Sequence, residues 1–367
     1  MLQYSDSDFF EFQKIRFDEE DRTSYQMHKL QINKELSRSL SSARSSAKGS
    51  KCFICKNKCD SFCNSHSVPQ FCLRKIADKG KVLQSGLQEE FPLLGDDTGV
   101  KKAGIFFLIC HNCDNTKFQE YENPQSYNQQ ISQTILAQIA MKNTLQLISK
   151  RKIEYQLYKI LEEKDSVIAQ EITQQQLKVI PLDLDGYTEE FRYSKVAAEK
   201  HKNDRFELFF YQKLNYTIPI AAQAEIILLC GLDGKIINDV YNITPSYKMQ
   251  SIHIAAFPLE NESVVICFRD VRNKRYDQFI QQFSLLPLDT KLSIVNYIFF
   301  QYSENVFISP KLKSTVLQNR AFLDVCQTSM NIWSTKNIHT CTKDIAEQFD
   351  LKQAIKIPNL LSSQYAM

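Results

Sequence analysis

The residues best placed to do chemistry in this chain are cysteines. Seven of its 11 cysteines fall between positions 52 and 113. Cys52-Phe-Ile-Cys55 and Cys110-His-Asn-Cys113 are two C-x2-C knuckles with 54 residues between them. That spacing lets two thiolates approach one ion from a tight turn, and two knuckles complete the tetrahedral sulfur shell that zinc favours. A structural zinc ion on Cys52, Cys55, Cys110 and Cys113 is the first expectation, and two pairs of ordinary buried cysteines the alternative. The long spacing suits a treble clef, in which one knuckle sits in a hairpin turn and the other opens a helix. Gly104–Ile109 would then be a strand feeding the second knuckle, and Asp114–Glu122 the helix. Cys59, Cys63 and Cys72 remain. With His66 they could form a second metal site, but C-x3-C-x2-H is not a distinctive spacing, and small core thiols or one auxiliary ligand is the expectation.

Between the knuckles lies Ser65-His66-Ser67-Val68-Pro69, and after the second come Asp114, Asn115, Phe118, Tyr121 and Glu122. The order C-x2-C, S-H-x-[IV]-P, then C-x2-C with an acidic-aromatic helix resembles the HNH (His-Me finger) nuclease superfamily. More narrowly, it resembles a group of largely uncharacterised prokaryotic proteins. These carry S-H-S-[IV], L-x-x-I-A-x-x-G-x-V and C-x2-[HC]-D-N-x2-F-x2-[IY]-E. Here the pieces read SHSV at 65–68, LRKIADKGKV at 73–82 and CDNTKFQEYE at 113–122. The resemblance covers about 52–125, a fifth of the chain.

The resemblance implies a ββα-metal module and a metal-dependent phosphodiesterase. His66 would activate water, a task that suits a neutral imidazole with a pKa near 7. One divalent ion would stabilise the scissile phosphate. Asp114, a hard oxygen ligand that fits Mg2+ or Mn2+, and Ser65 would lie near that ion. Glu122, eight residues beyond Asp114, would share roughly the same helix face. Lys117 would reach a phosphate. Three positions depart from the superfamily pattern: Ser65 replaces the usual acid before the histidine, Asp114 the usual helix histidine, and Gly104-Ile105-Phe106 offers no asparagine to orient the base. Structural alternatives stand beside each role. His66 also fits a hydrogen-bonded structural residue or a metal ligand, Asp114 a helix cap, and Glu122 a solvated charge.

Overall charge says little about partners: 45 Lys+Arg against 42 Asp+Glu leave +3. Locally the balance differs. Arg38, Arg44, Lys48, Lys51, Lys56 and Lys58 surround the first knuckle, and Arg74, Lys75, Lys79, Lys81, Lys101 and Lys102 follow. This is the basic surface expected of a module that binds nucleic acid, DNA before RNA. A solvated basic surface is the alternative.

Residues 1–50 hold a helix over Asp18–Leu36 and a basic, Ser-rich linker, and 51–125 are the zinc module. Residues 126–204 are a helical connector, with apolar residues at helical spacing from Ile131 to Leu161. Pro181 and the segment DLDGY predict a turn between helices at Asp165–Lys178 and Tyr187–Lys202. Residues 205–367 form an α+β domain. Its runs Phe206–Tyr211, Ile218–Leu229, Lys235–Tyr241, Ser251–Pro258 and Ser263–Arg269 predict a small antiparallel sheet with hairpin turns at Gly231–Gly234 and Glu260–Glu262. Helices are expected at 274–284, 288–302 and 311–329. No motif in this half marks chemistry, and Trp333 carries no functional signal. It could serve as a regulatory unit, a partner platform or an oligomerisation surface.

The first thirty residues lack the apolar run of a secretory signal, and no stretch is long and apolar enough to span a bilayer. A cytoplasmic location is expected, which argues against a disulfide framework. The fold class expected is α+β. The functional expectation is an HNH-like endonuclease cutting DNA with one zinc and one Mg2+ or Mn2+, in prokaryotic anti-phage defence. The alternative is a non-catalytic zinc-finger protein that binds nucleic acid or a partner.

Overall fold

The computed structural model describes residues 34–35, 37–85, 98–163, 167–201, 204–239, 242, 244, 246–328 and 349–367. Trp333, Cys341 and most of the expected Asp18–Leu36 helix lie outside them. The Ser-rich stretch expected as a linker is helical over 37–47 (α1), with Ala43 fully buried.

The framework is an antiparallel sheet. Its long strands are β5 (Phe206–Leu214), β6 (Ile220–Ile226), β7 (Ile252–Pro258) and β8 (Ser263–Asp270). Three short ones join them: β2 (Lys81–Ser85), β3 (Thr98–Gly99) and β9 (Val306–Ile308). The order is β3-β2-β9-β6-β7-β8-β5. The sheet is larger than expected, and it is shared. Leu83, Gln84 and Ser85 of the cysteine module pair with Ile308, Phe307 and Val306. Residues 51–125 and 205–367, expected as separate units, are thus built on one sheet. The Lys235–Tyr241 run is not a strand over its described residues: only an isolated bridge, Cys230 to Ile236, forms there.

Strand alternation sends side chains to two cores. Ala221, Ala255, Phe257, Val264, Ile266, Phe268 and Phe307 face the cysteine module and the central helices. Ile220, Ala222, Ile254, Val265, Cys267 and Ile308 face the opposite layer. That layer holds α6 (Asp277–Ser284), α7 (Leu288–Tyr302) and α9 (Arg320–Thr328), with the short α8 (Ser314–Leu317) before it. The C-terminal segment joins it: Asn296 donates to the Pro358 carbonyl at 3.0 Å and accepts from the Leu360 N–H at 3.0 Å. Helices cover both faces, which is why β7 and β8 are buried throughout.

Two long helices connect the module to the sheet: α4 (Gln133–Glu162) and α5 (Val167–Glu199). Ser132 caps α4, its Oγ accepting from the Ile135 N–H at 3.1 Å. From Thr134 to Leu145 every residue of α4 is buried, so this end of the helix has no solvent face. The expected break at Pro181 is absent, because α5 runs through it. An interior proline costs a helix about 3 kcal/mol or more. Here Pro181 is exposed, and packing along α4 holds the flanking turns, aided by Arg151 bridging to Asp183 at 3.0 Å. No helix among the described residues is long and apolar enough to cross a membrane.

Candidate metal centre and adjoining polar site

The first knuckle is closed by a bridge between Lys51 and Lys58. Inside that turn Cys52 donates its N–H to Asn57 O at 2.9 Å, and Lys56, at a left-handed φ of 64°, returns its N–H to Cys52 O at 2.9 Å. The second knuckle opens α3 (His111–Lys117), with Cys110 as the residue before the helix and Cys113 in its first turn. The helix is shorter than expected, and Glu122 lies beyond its end. The two turns meet: Cys110 donates its N–H to Cys52 Sγ at 3.3 Å, and Cys55 Sγ lies 3.9 Å from Cys110 Sγ. All four sulfurs lie within 4.8 Å of one another. Zn–S bonds near 2.3 Å in a tetrahedron put sulfurs roughly 3.8 Å apart, so the cluster has the dimensions of a zinc site.

Burial pushes the Cys52 thiol up, but N–H groups of Cys55, Cys110 and Ile54 outweigh that and bring it down to about 7. Burial and the neighbouring sulfurs push Cys113 far up. Four thiolates cannot share this volume unless a metal compensates them. Cys59, Cys63 and Cys72 do not join the group, and it is the one such ligand cluster among the described residues. No described cysteine is in a disulfide.

Beside the knuckles, β1 (Ser65–His66) pairs antiparallel with β4 (Ile105–Phe106), and α3 follows. Gly104 introduces β4 at a φ of 61°. A Cβ there would come within 2.4 Å of Ser67 Oγ and 2.7 Å of Phe307, so glycine lets this ribbon lie against the sheet. Ser67 then bonds to Asn305 at 2.6 Å, just ahead of β9.

Adjacent residues of β1 have different surroundings. Ser65 Oγ donates to Asp114 Oδ1 at 2.6 Å. It also accepts from Lys142 Nζ at 2.8 Å. Lys142, on α4, is fully buried. Its ammonium donates to Asp114 Oδ1 at 2.7 Å, pairs with Glu122 Oε1 at 3.0 Å and lies 4.2 Å from the centre of the Phe118 ring. The Cys63 thiol donates to Asp114 Oδ2 at 3.1 Å. Burial alone would raise the Asp114 pKa. The Lys142 charge, with hydrogen bonds from Lys142, Ser65 and Cys63, holds it below the usual carboxylate value. At Glu122 burial wins over Lys142, and the pKa is raised.

His66 is not bonded to that cluster. Its Nε2 lies 3.1 Å from Val100 O. A carbonyl only accepts, so Nε2 carries the proton and Nδ1 keeps the free lone pair. Burial lowers the His66 pKa, which keeps the ring neutral at pH 7. Val100 also lines a groove of 590 Å³, together with Gln70, Arg74, Ala77, Gly80, Gly99, Lys101 and Lys102.

The structure therefore brings Ser65, Asp114 and Glu122 together and turns His66 toward Val100. Of the basic residues singled out in the sequence, Arg74, on α2 (Gln70–Ile76), lines the groove, Lys75 of the same helix lines a separate depression with Tyr216 and Glu260, and Lys58 is exposed. Lys56 sits over the Phe53 ring at 4.2 Å. Lys117 is tied to Glu199 at 2.7 Å. Sequence reasoning missed Lys142, although a signal existed. It lies three residues after Ile139 and three before Leu145, on the apolar face of α4, and a charge there demands a buried partner.

No protein family, curated protein or solved structure matches this chain. By fold and site it is a mixed helix-and-sheet protein with antiparallel sheets and a four-cysteine group able to hold a metal ion such as zinc.

Proposed function

We propose that this chain is a nucleic-acid-binding protein built on a zinc-stapled, HNH-like treble clef, in which the expected nuclease cation is replaced by a lysine. The observation that carries this reading is Lys142, whose ammonium donates to both Ser65 and Asp114. A Mg2+ or Mn2+ ion on Asp114 would stand within about 4 Å of that ammonium. At an effective dielectric near 20 the repulsion is roughly 8 kcal/mol. Expelling Lys142 instead would strand a buried charge. The carboxylates are thus better suited to holding α3 and the turn after it on α4 than to holding a catalytic ion.

Binding would use the groove beside His66. None of Arg74, Lys101 and Lys102 is in an ion pair with a described carboxylate, which leaves three cations for phosphates. The test is fluorescence anisotropy with labelled duplex and single-stranded oligonucleotides across a salt series. Binding that weakens steeply with salt, and that Lys101→Gln/Lys102→Gln reduces, is the expected result. No binding at 50 mM salt would sink the reading.

One observation favours a second reading, phosphodiester hydrolysis. The free Nδ1 of a neutral His66 is what a general base requires. Plasmid nicking in Mn2+ that disappears in His66→Ala would move the conclusion there.

A further inference from the structure

We infer a second phosphate-binding face, formed where the first knuckle docks on the α4–α5 hairpin, that takes the backbone of a nucleic acid. Phe53 projects from the knuckle onto Phe191 of α5, with ring centres 5.1 Å apart and nearly edge-on. Cations from both sides of this seam gather on it. Lys56 of the knuckle lies 4.2 Å from the centre of the Phe53 ring, and Lys152 of α4 lies 5.7 Å from the same ring. Lys195 of α5 donates to Ile54 O at 3.4 Å. Arg192, next to Phe191, is exposed.

Lys56 is repelled by Arg192 and Lys195 and attracted by Cys52, and Lys152 is repelled by Lys56. None of the four is within ion-pair distance of a described carboxylate; the charged pairs of this region, Lys117–Glu199, Arg151–Asp183, Arg151–Glu154 and Lys150–Glu154, involve other residues. Stability alone does not gather like charges this way. A zinc ion on four thiolates carries a net charge of 2−, which offsets two of the four cations and leaves a 2+ excess. Three separated segments that converge to leave surplus positive charge suit a repeating polyanion. The choice of nucleic acid over an acidic peptide rests on the reading proposed above.

The test compares the wild type, Lys152→Gln/Arg192→Gln and Lys101→Gln/Lys102→Gln in anisotropy titrations with a labelled duplex. Zinc content and thermal unfolding are measured on each. We expect Lys152→Gln/Arg192→Gln to keep its zinc and its melting point. Its affinity should fall on the order of tenfold at 0.1 M salt, and its salt slope by about 2, since each lost phosphate contact removes roughly 0.9. Unchanged affinity and slope would overturn the inference while the groove variant still upholds nucleic-acid binding. Loss of zinc would also overturn it, because the cations would then serve the metal centre. A wild type that binds no duplex would remove the functional reading itself, and capture of a poly-glutamate peptide instead would name the other occupant.

Discussion

The four-cysteine centre and the Ser65–Asp114–Lys142 cluster are neighbours, the second joining the cysteine module to α4, and both gather metal-ligand chemistry. They differ in what each leaves for an ion. The four sulfurs lie within 4.8 Å of one another, and burial with the neighbouring sulfurs raises the Cys113 pKa. The carboxylates converge on an ammonium that already satisfies them. Ligand types at the right spacing are thus not enough to define a metal site. The charge that the surrounding fold supplies decides whether an ion is needed.

Loss of the four-cysteine centre should cost the chain most. Structural zinc contributes on the order of 10 kcal/mol to small zinc domains. Here the same ion would staple α3 to the first knuckle. Cys110→Ser should lose zinc and lower the melting point by many degrees, and a strong chelator should do the same to the wild type. Metal analysis with calorimetry measures both. A zinc-free wild type of unchanged stability would make the four thiols ordinary core residues.

The next effect is at Lys142. Lys142→Met removes the partner of two carboxylates and should cost about 3–5 kcal/mol in urea unfolding. The variant also vacates the position between Ser65, Asp114 and Glu122. Mn2+ should then recover part of the lost stability in Lys142→Met and none in the wild type. If Mn2+ stabilises the wild type equally, lysine and metal do not compete, and the contrast between the two centres fails.

How much of this was legible beforehand follows the range of the interactions. The knuckles were readable because each is local, a turn of a few residues with a fixed chemical demand. The helix of α4 and the strands β5 to β8 were readable from period and run length. Three things were not. Strand β9 is three residues long, and its partner Leu83 lies more than 220 positions away, so no local pattern announces the pairing that joins the module to the sheet. Pro181 signalled a break on local grounds, but α5 is held along its length by α4, and tertiary packing prevailed. The third was the partner of Asp114: the ammonium it accepts from, that of Lys142, lies 28 positions away on a different helix.

The smallest effect, and the one that best sharpens the contrast within the cluster, separates its two carboxylates by pH. The Asp114 pKa is depressed in the folded chain. Its contribution to stability is therefore present above the unfolded value, about 3.9, and is lost as pH falls through the lower folded value. Glu122 is shifted the other way. Between its unfolded value, about 4.3, and its raised folded value the native state holds the extra proton, so its contribution weakens as pH rises through that window. Urea midpoints measured from pH 3 to 7 should show both trends in the wild type. Asp114→Asn should flatten the acid limb and cost more at pH 7 than Glu122→Gln. The Glu122 side chain is 40 % exposed and its pairing is screened by solvent, so Glu122→Gln should change stability by less than about 1 kcal/mol. Equal losses for the two variants at pH 7 would mean that Lys142 is held by both carboxylates alike, and that the buried Ser65–Asp114 side of the cluster has no special weight.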